Sequence, residues 1–79
     1  MDITKAKLAL REFLAGSFKI HDIKNSDDIF DTGIVHSLFF IQLLIFIEKK
    51  FKIELEEGDF DINKLRNINE IANLIVNKL

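Results

Sequence analysis

Apolar residues recur at helical spacing in three stretches of the chain. In residues 2–17, Ile3, Ala6, Leu10, Phe13 and Leu14 fall on one helical face. Asp2 or Thr4 can cap the first turn, and Gly16 is expected to mark the end. A second helix is predicted from Ser37 or Leu38 to Phe51 or Lys52. Steps of about 100° per residue place Phe40, Leu43, Leu44, Ile47 and Phe51 on its core stripe. Leu38, Ile41, Gln42, Ile45, Glu48 and Lys49 lie opposite, flanked by Phe39 and Phe46. The last helix opens at Asn67-Ile-Asn-Glu70, a capping-box spacing with Asn at the cap, and Ile68, Ile71, Ala72, Ile75 and Leu79 form its stripe.

The segments between these helices carry no sustained period. Residues 18–36 form a long connection, yet Phe18, Ile20, Ile23, Ile29, Phe30, Ile34 and Val35 are scattered through it, so it is expected to be pinned to the core. So long a loop in so small a domain is expected only where it serves a function. After the second helix, residues 52–55 alternate like a short extended piece. One irregular turn or short helix is expected at 56–61, with Phe60 and Ile62 as its anchors. Gly58 lowers helix propensity there, and the acidic run reads most simply as a solvated face.

Seventy-nine residues make a single domain, 1–79, near the size at which one core only just outweighs the entropy of ordering the chain. An apolar fraction of 48%, with eight Phe, can fill that core. A net charge of −2 from mixed charges argues against a nucleic-acid-binding surface and against a disordered acidic tail. With no cysteine the chain has no disulfide, thiolate nucleophile or sulfur-ligated metal, so any thiol chemistry must be borrowed. His21 and His36 lack partners at metal-ligand spacing, which sets metal binding aside. No signal pattern opens the chain, and the apolar run 38–47 is too short to span a bilayer, so no membrane insertion and a cytoplasmic location are expected. No proline, repeat or linker-like end interrupts the order, which suggests a free-standing protein.

Ser37 stands where a polar loop becomes a helix. It can be an ordinary N-cap, or an exposed hydroxyl presented for modification at the positive end of the helix dipole. The side of the second helix opposite its core stripe is too apolar for a face that meets only water. Burial all round would explain it, but three short neighbours can hardly surround one helix, so a strip open to a partner is the reading adopted. No nucleophile and base, carboxylate pair or metal cluster converges, which argues against an enzyme.

The order of elements, Asp28-Ile-Phe30 followed by Gly33, then His36-Ser37-Leu38, Gln42-Leu43 and the 47–51 ending, together resemble the acyl and peptidyl carrier proteins. The resemblance covers essentially the whole chain. It implies an all-α, acyl-carrier-protein-like four-helix bundle with three long helices, one short irregular helix and a long first loop. The four-residue step from Gly33 to Ser37 and Gly58-Asp-Phe-Asp61 resemble D-alanyl carriers and small free-standing polyketide-pathway carriers, whereas His-Ser-Leu resembles the peptidyl carriers of nonribosomal synthesis. The cargo is left open among these.

The resemblance further implies that Ser37, flanked by Gly33, His36 and Leu38, carries covalent 4′-phosphopantetheine received from coenzyme A through a separate, magnesium-using transferase. Its thiol would hold an acyl or aminoacyl thioester. The protein itself would be a non-catalytic monomer. Its partners would be the phosphopantetheinyl transferase, an acyl- or amino-acid-activating ligase, and downstream acyl-transferring or condensing enzymes. Leu38, Phe39, Ile41, Gln42, Ile45, Glu48 and Lys49 are the expected partner face, with Phe39 the sharpest member. The competing reading is an unmodified helical adaptor that binds through the apolar side of the second helix.

Overall fold

The computed structural model describes residues 2–30 and 37–79, with only the backbone of Ser37. Three helices carry the fold: α1 (Ile3–Phe18), α2 (Ser37–Phe51) and α3 (Ile68–Lys78). Two 3-10 turns, Glu57–Asp59 and Ile62–Lys64, lie between α2 and α3. Among the described residues there is no strand, and the predicted all-helical bundle stands. The single irregular element expected at 56–61 is in fact two turns. Phe60 and Ile62, its expected anchors, are 49% and 52% exposed, and the segment is instead held at its ends by buried Leu55 and Leu65.

Local chemistry sets the helix ends. The Asp2 carboxylate accepts a hydrogen bond from the Thr4 amide at 3.1 Å and so caps α1. Gly16 does not end this helix. The chain continues to Phe18 and turns at Lys19, which adopts the left-handed conformation with φ 57° while its amide donates to the Ala15 carbonyl. Such a φ costs a lysine about 1 kcal/mol or more. The Ile20 amide donates to the Leu14 carbonyl at 3.1 Å, and Ile20 is buried beyond it, which offsets that cost. The chain leaves α2 in the same way, through Lys52 with φ 54°. At the start of α3 the Asn67 side chain accepts from the Glu70 amide at 2.8 Å, half of the predicted capping box.

The core is one cluster in which Leu10 and Leu14 of α1, Leu43 and Ile47 of α2, and Ile71 and Ile75 of α3 are fully enclosed. Phe39, expected on the partner face, is also in this core and is 0% exposed. Its ring packs edge-on against Phe18 at 4.5 Å and Phe30 at 6.1 Å. Phe46 stacks on Phe13 at 4.2 Å from the same side of α2. The rings of α1 therefore rotate the inward stripe of α2 onto Phe39, Leu43, Ile47 and Phe51, an i, i+4 ridge of the kind that packs between helices. Phe40 and Leu44, predicted on the stripe, are left half-buried at its edge.

The long first connection is tied down, as its scattered apolar residues predict. Ile20, Ile23 and Ile29 are buried. Arg11 of α1 donates to the Ile23 carbonyl at 2.6 Å and to the Asn25 side-chain oxygen at 2.5 Å. The far side of the loop joins the approach to α3. The Asn69 amide donates to the Asn25 carbonyl, the Ile29 amide to the Arg66 carbonyl, and the Arg66 guanidinium lies 3.6 Å from Asp28. Contacts from both sides fix residues 20–30 against α1 and the approach to α3.

Candidate functional site

Helix α2 begins at Ser37, the residue singled out for modification. Its first turn carries no acidic residue, and Lys49 and Lys50 occupy its last turn. The lysines follow the helix dipole, which favours cations at the last carbonyls, whereas the first turn has no carboxylate of its own at the end where the dipole favours an anion. Gly33 and His36, the predicted flanks, lie outside the described residues.

From Leu38 onward the outward face of α2 is apolar. Leu38, Ile41 and Ile45 are 55%, 52% and 47% exposed, and Gln42 and Lys49 are exposed with them. These residues stand together on the side opposite the buried ridge, as the periodicity places them. Glu48 differs from its expected role. It is only partly accessible, and its carboxylate accepts a hydrogen bond from the Leu55 amide at 3.1 Å, so it braces the chain after α2. Phe39 is excluded from the outward face by its burial. What remains is an apolar strip, interrupted by Gln42 and ending at Lys49.

Little else among the described residues invites chemistry. No group of three or more His, Cys, Asp or Glu is arranged to hold a metal there, and no helix is long and apolar enough to cross a membrane. A shallow groove lined by Lys64, Glu70, Asn73, Leu74 and Asn77 contains none of the predicted site residues.

Sequence reasoning missed Arg11, Asn25, Arg66 and Asn69, which hold the connection leading toward Ser37. Their partners are far away in sequence, so no short-range spacing announces them. The best available signal was the arginine at the edge of the α1 stripe, facing a loop with many backbone groups to satisfy.

An all-helical bundle, with an apolar-faced second helix starting at a serine, is the arrangement expected of a small carrier-type domain. Residues 9–75 match the family described as phosphopantetheine attachment site, and the chain belongs to that family. Its cofactor is 4′-phosphopantetheine, attached covalently to the domain. Domains of this kind are carriers that work with phosphopantetheinyl transferases and partner enzymes. No curated protein and no solved structure matches the chain.

Proposed function

We propose that the protein is an acyl or aminoacyl carrier in which Ser37 bears the 4′-phosphopantetheine arm. The observation that carries this reading is the start of α2 at Ser37, inside the matched residues, with an acid-free first turn and an exposed apolar strip beginning at the next residue. A phosphodiester on Ser37 would meet the free amide groups and positive dipole end of α2, with no carboxylate in that turn to oppose it. In the loading step the serine oxygen bonds to the phosphorus of coenzyme A that bears the pantetheine arm. The phosphoanhydride bond breaks, adenosine bisphosphate leaves, and the serine proton passes to a base of the magnesium-dependent transferase. The arm's thiol, which this cysteine-free chain cannot supply itself, then holds the cargo as a thioester.

The protein's contribution is delivery. One tethered thioester reaches several active sites in turn, at an effective concentration set by the arm. Leu38, Ile41, Gln42, Ile45 and Lys49 form the docking face for the transferase, for the acyl- or amino-acid-activating ligase that charges the arm, and for the downstream acyl-transferring or condensing enzymes. A strip of this modest size suits brief encounters better than a permanent interface. The cargo is of the fatty-acyl, polyketide, amino-acid or D-alanyl class, and a native-thioester mass distinguishes them. The chain works as a single cytoplasmic carrier domain and as a monomer, with Gly33 and His36 flanking Ser37 in the sequence.

The test is the intact mass of the folded protein after incubation with coenzyme A, magnesium and a broad-specificity transferase. A single phosphopantetheine adduct that vanishes in Ser37→Ala is expected. No adduct on folded wild-type protein with any of several transferases would overturn the carrier reading and leave the unmodified adaptor. An adduct that persists in Ser37→Ala would place the arm on another residue.

A further inference from the structure

The chain between α2 and α3 has two apolar anchors, Leu55 and Leu65, and between them every side chain except Asp59 is exposed. Apolar burial therefore fixes the ends of this segment and leaves its middle to polar contacts. Asp59 supplies them. Its carboxylate oxygen Oδ2 lies 2.7 Å from Nζ of Lys78, the last residue of α3, and the same oxygen accepts the Glu56 amide at 2.8 Å. Lys78 also stands 3.7 Å from the Glu56 carboxylate, and Lys64 Nζ donates to the Gly58 carbonyl at 3.0 Å.

We propose that Lys78 is a latch: its ion pair with Asp59 docks residues 56–64 against the end of α3, and breaking that pair releases this segment as one local unit while the helical core stays folded. Three observations converge on this. The segment contains no α-helix and only two 3-10 turns, and the hydrogen bonds within it are local ones, such as Asp59 to Glu56 and Lys64 to Asp61, that do not tie it to a helix. Its one buried charged group is paired with a cation from a different element. At its start the Leu55 amide is separately held by Glu48 of α2, which defines where the release stops. Phe60 and Ile62 ride on the latched segment, so Lys78 is a positioning residue for two exposed apolar side chains. Local opening of a weakly packed unit ahead of global unfolding is a general behaviour of folded domains.

Hydrogen–deuterium exchange by mass spectrometry on the full chain tests the latch. The variants are Lys78→Gln, Lys78→Arg and Asp59→Asn. The last keeps an oxygen for the Glu56 amide while removing the charge. The expected result is faster exchange of amides 56–60, on the order of fivefold, in Lys78→Gln and Asp59→Asn, with α1 and the buried positions of α3 unchanged and protection restored in Lys78→Arg. Wild-type protein in concentrated salt should show the same local pattern in weaker form. Unchanged exchange at 56–60 would overturn the latch. So would acceleration spread evenly over all three helices, because the pair would then report global stability rather than a separable segment.

Discussion

Replacing Phe39 by alanine separates the two possible roles of the outer first turn of α2. The ring is fully enclosed, with Phe18 edge-on at 4.5 Å on one side and Phe30 at 6.1 Å on another. Truncation removes the apolar surface it buries and leaves a cavity between α1, α2 and the first connection. For an enclosed phenylalanine that loss is about 3–5 kcal/mol. A domain of 79 residues has a total stability of roughly 4–12 kcal/mol, so Phe39→Ala is expected to remove about a quarter or more of it. Phe39→Leu retains most of the volume but loses both ring contacts, and about 1–2 kcal/mol is expected. Urea titration followed by far-UV circular dichroism measures both variants, and the midpoint should fall with little change in slope. Ile45→Ala, at an exposed position on the opposite face, serves as the control and should stay within about 0.5 kcal/mol of wild type. A Phe39→Ala variant as stable as Ile45→Ala would refute the placement of Phe39 in the core and return it to the docking strip.

Two further outcomes follow from the same geometry. Ile45→Glu should leave the helical spectrum and melting midpoint close to wild type while raising the KM of a transferase or ligase for the protein, and cooperative unfolding of this variant would show that Ile45 belongs to the core. The Asp59–Lys78 pair should also shape the dependence of stability on pH. Its hydrogen bond with Lys78, and then the Glu56 amide, hold the Asp59 carboxyl below its ordinary value of 3.8. The hydrogen bond with Asp59 raises the Lys78 ammonium above 10.5. The Asp59 contribution is therefore present above pH 3.8 and lost as pH falls through its lowered value, while the Lys78 contribution is present below pH 10.5 and lost as pH rises through its raised value. Glu56 and Lys64, the other charges facing the pair, act in the same direction on Lys78 and Asp59 respectively. Comparing urea midpoints of wild type and Asp59→Asn across this range should show a difference that shrinks toward both extremes, and a gap independent of pH would remove the pair from the explanation.

The elements were legible because their signals are local. Asp2 and Asn67 cap the helices at which short polar side chains precede apolar periodicity, and the buried residues of α1 and α3 lie on their predicted stripes, although Leu79 at the end of the α3 stripe is 57% exposed because the helix stops at Lys78. The scattered isoleucines of the first connection foretold its attachment to the core, which Ile20, Ile23 and Ile29 provide. Gly16 misled because a lysine farther along accepted the left-handed conformation once Ile20 beyond it was buried. Phe60 and Ile62 misled for the opposite reason: apolar residues in a short irregular segment carry no period, and Leu55 and Leu65 already held its ends.

By itself the chain determined three helices, the N-caps of α1 and α3 and the serine that opens α2, since each depends on residues within a turn or two of one another. Only the tertiary structure decided which way α2 faces. Its apolar residues surround most of its circumference, so periodicity leaves the inward direction uncertain by about one residue's rotation. The rings of Phe13 and Phe18 on α1 settle it by meeting Phe46 and Phe39. That choice buries Phe39, turns Leu38, Ile41 and Ile45 outward, and gives the helix that begins at Ser37 its exposed strip. The same holds for Lys78 and Asp59, whose pairing depends on bringing the last residue of α3 back to a turn that precedes it. Contacts of this kind depend on how the elements are packed, which no local spacing encodes.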